Sequence, residues 1–181
     1  MSWVSSFASD LIEALDMERA IYSASVLCSV GRAEKIVTPL NVFKQIIIQL
    51  LMAQPEIVGM PDNLKILSIQ QFECAKNSPE ATYATLTFIL RMLDEVAIRK
   101  NREIFLIIDR IDICLARETS DGRTRSLRSL KMLNIEFKTL RLILTSQKRT
   151  GDMKLLLGGE EQVTEVWIDT TEQVSIYGRG L

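Results

Sequence analysis

An α/β fold, with a parallel sheet layered between helices, is what this sequence predicts, and two observations carry that reading. The first is Glu103-Ile104-Phe105-Leu106-Ile107-Ile108-Asp109-Arg110-Ile111-Asp112. Its strand is apolar on both alternating faces, which suits a central parallel strand covered on each side, because a half-exposed strand would alternate with polar residues. The second is the repeated alternation of β-type runs with stretches of helical periodicity, the signature of parallel strands joined by helical crossovers. Composition permits such a fold: 47% hydrophobic and 25% charged residues over 181 positions describe one domain with a sizeable core, not a disordered or fibrous chain.

Taken in order, Ser5 to Glu18 places Phe7, Leu11, Ile12, Leu15 and Met17 at mostly helical spacing, with Ser9 and Asp10 as caps near its start. Ile21 to Val30 is a β-type run whose small residues would let helices pack closely on the sheet, and Gly31 ends it. Pro39 opens the next helix, where a missing amide costs nothing; Val42, Ile46, Leu50 and Leu51 form its stripe and Gln54-Pro55 stops it. A third helical region runs from Asp62 to the break at Asn77-Ser78-Pro79. A fourth covers Glu80 to Arg99, with Thr82, Leu86, Phe88, Ile89, Leu93 and Val96 inward. Lys100 to Arg102 turns into the acidic strand. Beyond it lie a polar loop from Arg117 to Gly122, a helix from Arg123 to Phe137 with Leu127, Leu130 and Leu133 inward, and a strand from Leu140 to Gln147. A short helix around Met153 to Leu157 and a last strand at Val163 to Ile168 complete the pattern. Arg123, Arg125, Arg128 and Lys131 make one helix face basic, as either a solvated face or a docking surface for an acidic partner or phosphate.

The acidic strand reads as a Walker B motif. Ligands in open parallel sheets bind beyond the strands' carboxyl ends, and Asp109 stands there, where a hard oxygen can orient a magnesium ion beside phosphates. The alternative is a buried strand capped by an Asp in a turn. No segment matches the phosphate loop of Gly, four residues, then Gly-Lys-Ser/Thr, whose amides and lysine cradle phosphates. Gly31 to Lys35 lacks the second glycine, and Leu157-Gly158-Gly159 is followed by Glu160 and Glu161, which would repel phosphate. Both are read as loops. The sequence thus contains half of a nucleotide site.

A net charge of -1 offers no global argument for nucleic acid or an anionic membrane. Cys28, Cys74 and Cys114 are odd in number and widely spaced, so reduced buried thiols are expected rather than a secreted disulfide framework. The absence of histidine removes Ser-His and Cys-His nucleophile pairs and leaves no zinc site. With no basic-then-apolar leader and no apolar stretch near 20 residues, the reading is a cytoplasmic protein without a membrane segment.

The order of elements (helix, small-residue strand, Pro39-Leu40 helix carrying Gln49-Leu50-Leu51, long helical stretch, Ile108-Asp109-Arg110-Ile111-Asp112, then Ile143-Leu144-Thr145-Ser146) resembles the nucleotide-binding core of STAND-class P-loop NTPases, in particular the NACHT-like domains of fungal NOD-like receptor proteins. The resemblance covers Ser5 to Asp169. It implies a three-layer P-loop NTPase-like sheet of the ASCE type, N-terminally truncated: a single partial domain over residues 1–181, its phosphate loop falling just upstream of Met1. By position, Asp109 is implied as the magnesium ligand, Asp112 as the catalytic acid that positions water, and Thr145 and Ser146 as the polar pair near the γ-phosphate. Two departures weaken hydrolysis: the residue after the second acid is often glutamate and here is Ile113, and the one after Thr-Ser is often arginine and here is Gln147.

Two functions follow from the resemblance. One is a fragment or degenerate form of a regulatory ATPase core, with ATP and magnesium as the parent family's cofactors but none expected on this chain alone. The other is a non-catalytic α/β interaction module. The strand at Ile104 to Ile108 is expected between those at Ile21 to Cys28 and Leu140 to Thr145, and a missing central strand would leave a gap or an improvised pairing for Val163 to Ile168. Unpaired edges recruit other chains, so protein partners or self-association are expected. Light scattering should find the isolated chain associating; a stable monomer with one cooperative unfolding transition would mean the gap is closed internally.

Overall fold

The structure is a computed structural model, described here for residues 3–17, 22–28, 38–116, 118–146, 165–166 and 174–175. In chain order these form α1 (Trp3–Met17), β1 (Tyr22–Leu27), α2 (Pro39–Ala53), α3 (Pro55–Gly59), α4 (Pro61–Ile66), α5 (Ile69–Asn77), α6 (Pro79–Lys100), β2 (Ile104–Asp109), α7 (Ile111–Leu115), α8 (Ser120–Glu136), β3 (Leu140–Leu144), β4 (Glu165–Val166) and β5 (Val174–Ser175). Strands β1, β2 and β3 make a parallel sheet with β2 in the middle, as expected. Its register pairs Leu106 with Ala24 on one side and with Leu142 on the other.

Parallel neighbours need crossovers, and the right-handed rule puts both crossovers, α2 to α6 and α7 to α8, on the same face of the sheet. Burial agrees. Ala24, Val26, Leu106, Ile108, Leu142 and Leu144 belong to one cluster with Ile46 and Leu50 of α2, Leu86, Ile89 and Leu93 of α6, and Leu127, Leu130 and Leu133 of α8. Strand alternation sends Ile107 to the opposite face, where it too is buried, outside that cluster. Helix α1 packs on β1 and β2 and is the described element that can cover it. This two-sided burial is what the unbroken apolar run of β2 required.

Helix starts follow local chemistry. Thr38, Ser78 and Thr119 cap α2, α6 and α8 by accepting from the amides of Asn41, Ala81 and Gly122, and prolines stand in the first turns of α2 and α6. Asn101 ends α6 in the left-handed region at φ 51°, a conformation asparagine tolerates.

Several expected boundaries are corrected. Pro55 begins α3, a short helix not expected, as well as stopping α2, and the single helical region expected from Asp62 to Asn77 is two short helices, α4 and α5, because Met60-Pro61 and Ser68 restart the chain. Helix α1 begins at Trp3, so Ser9 and Asp10 are exposed helix residues and not caps. Helix α7 was not foreseen, and Ser120 to Gly122 are helical instead of loop. Phe88 packs only partly on the core, whereas Thr85, Leu90 and Ala97 join Thr82 inside. Cys28 and Cys114 are buried free thiols, but Cys74 is exposed. Of the last expected strand, Glu165–Val166 pairs antiparallel with Val174–Ser175 and does not extend the parallel sheet, an improvised pairing. The helix expected at Met153 to Leu157 and the two glycine loops lie outside the described residues, and no described helix is long and apolar enough to cross a membrane.

The outer edge of β1 has its own device. Cys28 donates its amide to the Asp109 carbonyl at 3.0 Å, so the alternate residue Ser25 turns its backbone outward. There Gln49 of α2 accepts from the Ser25 amide at 2.8 Å and donates to the Ser25 carbonyl at 2.7 Å, a side-chain amide imitating a neighbouring strand. Truncation of Gln49 to alanine should cost about 1–3 kcal/mol by leaving both groups unpaired, and should raise self-association in light scattering. Leu106→Ala, fully buried in the middle strand, should cost about 2–5 kcal/mol in urea unfolding by opening a cavity.

Candidate functional site

The four residues singled out from the sequence all fall at the carboxyl end of the parallel sheet, Asp109 closing β2, Asp112 in the first turn of α7, and Thr145 and Ser146 just after β3. Asp109, Thr145 and Ser146 are buried. Two strands running in parallel and in register bring Asp109 beside Thr145, and the Thr145 hydroxyl donates to Asp109 Oδ1.

Thr145 does more than meet the acid. Its amide donates to the Ile108 carbonyl at 3.1 Å, its carbonyl accepts from Ile111 at 3.0 Å, and its hydroxyl oxygen accepts from the Arg110 amide at 2.9 Å. One residue thereby holds the whole turn from β2 into α7. That turn is sharp enough to place Arg110 in the left-handed region at φ 58°, an unfavourable conformation for a residue with a β-carbon.

The second acid is engaged elsewhere. Arg110 Nε donates to Asp112 Oδ1 at 3.1 Å and its Nη2 donates to Oδ2 at 3.2 Å, a two-pronged pair with both side chains largely removed from solvent. Asp112 in this state is a charge partner rather than a base aimed at water. Sequence pattern did not reveal this pair, because it forms across the turn from β2 into α7, where neither strand nor helix periodicity says which side chains meet. Ile113 packs partly against the core, and Gln147 lies outside the described residues.

Two thiols flank the acid. Cys28, whose amide bonds the Asp109 carbonyl, sits against Cys114 of α7. Its hydrogen bond to Cys28, and then burial, push the Cys114 thiol far above its ordinary range, so it is an inert packing group here.

Asp109 closes the middle strand with the Thr145 hydroxyl on its carboxylate and Ser146 next in the chain. Among the described residues no group of three or more His, Cys, Asp or Glu gathers to hold a metal. A magnesium ion would therefore need phosphate oxygens to complete its shell, as this ion usually does. Comparison of the chain with protein-family models, with curated proteins and with solved structures found no match to any of them.

Two expectations follow from the turn. Thr145→Val should destabilise by about 1–3 kcal/mol, since it removes the hydroxyl that accepts from the Arg110 amide and donates to the Asp109 carboxylate, whereas Asp109→Asn retains an acceptor and should change unfolding little. Both Arg110→Ala and Arg110→Gly lose the pair with Asp112, but glycine accepts positive φ, so the glycine variant should be the more stable by about 1 kcal/mol in denaturant titration.

Proposed function

We propose that this chain is a degenerate regulatory NTPase-like core of the STAND class, built on a P-loop NTPase-like sheet of which it supplies the acidic-strand half. The observation that carries this reading is the Thr145 hydroxyl resting on the Asp109 carboxylate across neighbouring parallel strands. An acid closing one strand and a polar residue closing the next is the arrangement such an ATPase uses to sense a phosphate and orient its magnesium. Within this reading Asp109 is the metal-orienting acid and Thr145 and Ser146 are the nucleotide-facing pair. Asp112 would act as a water-positioning acid only if Arg110 released it. Turnover is not the function proposed; the site would register nucleotide and pass its state to protein partners in the cytoplasm.

A second reading, a non-catalytic interaction module on the same scaffold, is favoured by the Arg110 pair with Asp112. A buried acid already satisfied by a guanidinium stabilises a turn without any ligand.

The two are separated by nucleotide titration combined with the coding sequence on the 5′ side of the Met1 codon. Phosphate affinity comes mainly from loop amides and a lysine, so the 181-residue chain should show no thermal shift with magnesium-ATP. If a Gly-x4-Gly-Lys-Ser/Thr loop is encoded upstream, the extended protein should gain nucleotide binding and become more monomeric together. No such loop and no heat of binding would favour the module. Sub-micromolar affinity of the short chain, worth about 4 kcal/mol of stabilisation at a thousandfold excess over Kd, would overturn the half-site reading.

A further inference from the structure

Helices α2 and α8 follow strands β1 and β2 and so start at the carboxyl end of the sheet; α6 feeds β2 from its amino end and so also starts there. Between these three starting turns lies a cavity of about 450 Å³, within the size range of small-molecule sites. None of the acid-strand residues lines it. One wall is apolar: Pro39, Leu40 and Phe43 of α2 face Pro79 and Tyr83 of α6, and the Phe43 and Tyr83 rings stand 6.3 Å apart at a tilt of 54°. Tyr83 donates its hydroxyl to the Ser129 carbonyl at 3.2 Å, which fixes its ring face in place. Burial pushes its phenol above the ordinary range, so the ring stays neutral.

The rest of the lining carries charge. Glu80 accepts from the Ser78 hydroxyl at 3.1 Å and lies 3.7 Å from Arg125, an exposed bridge between α6 and α8. Glu118 is half-buried, and its carboxylate makes no ion pair or hydrogen bond with the described residues. Gly122 is what admits it: a β-carbon there would overlap Glu118 Oε2. Glycine inside a helix is unfavourable, and at this position it leaves room for a carboxylate in the cavity wall. Three helix starts would ordinarily favour an anion, but Thr38, Ser78 and Thr119 each cap one amide of their helix, and the two carboxylates already occupy the favourable place. Two acids against one guanidinium, beside two aromatic rings, select the opposite charge.

We propose that this cavity is a binding site for a small organic cation, an amine or guanidinium carried on an apolar body, with Glu118 as its charge partner and Phe43 and Tyr83 as its apolar seat. The proposal is independent of the nucleotide reading. It is tested by titrating the ¹⁵N-labelled chain with 4-phenylbutylamine and, separately, with 4-phenylbutyrate, which shares the apolar body and reverses the charge. The amine should bind about tenfold or more tightly than the acid, since only it gains a charge partner, and should shift the amides of Tyr83, Gly122 and Ser126. Glu118→Gln should abolish most of that preference. Gly122→Ala should displace the carboxylate and weaken amine binding while leaving the melting temperature unchanged or higher. Equal affinities, preference for the acid, shifts centred elsewhere, or a preference unaltered in both folded variants would overturn the proposal.

Discussion

Strand β2 has to be dry on both faces and paired on both edges, and the remainder of the sheet domain is arranged around that requirement. Ile104, Leu106, Ile107 and Ile108 have no solvent exposure, and each leaves a backbone amide and carbonyl that would be costly if unpaired. Strands β1 and β3 satisfy the backbone. Helices α2, α6 and α8 cover one face and α1 packs from elsewhere on β1 and β2. Because the strand ends in Asp109, the same burial carries a carboxylate out of solvent, and a buried charge must be bonded.

Thr145 answers that need, and its position ties several segments together. Its contacts to Ile108, Asp109, Arg110 and Ile111 join the ends of two neighbouring strands to the start of α7. The left-handed Arg110 is tolerated because this network over-determines it and because its side chain then reaches Asp112. An acid pair that looks catalytic when written as a string is divided by the turn between its members. Asp109 faces the next strand and Asp112 faces an arginine. The edge device at Gln49 has a similar character, since a single side-chain amide satisfies Ser25 where a flanking strand would otherwise be recruited.

The periodicity of the chain was legible wherever burial was extensive. The apolar run of β2, the stripe of α2 from Val42 to Leu50 and the leucines of α8 each state a buried face, because a period of two or of 3.6 follows from backbone geometry alone. The strand order followed from the same runs once parallel pairing was assumed. Short, polar stretches were less legible. Helices α3, α4 and α7 have five or six residues, too few for a period to register, and Gly122 reads as a loop residue although it lies in the first turn of α8, where the Glu118 carboxylate occupies the space a β-carbon would take.

The sequence by itself determined that Asp109 would close a buried parallel strand and that Thr145 and Ser146 would close another, since both follow from unbroken apolar runs ending in polar residues. Only the tertiary structure decided what those groups bond. The hydroxyl that donates to the Asp109 carboxylate is 36 positions away, the orientation of Asp112 depends on one positive φ at Arg110, and the cavity beside Tyr83 exists because three helices from separate parts of the chain begin at the same end of the sheet. Hydrophobic patterning is written locally, residue by residue; hydrogen-bond partners and cavities depend on distances between segments, which no local pattern records.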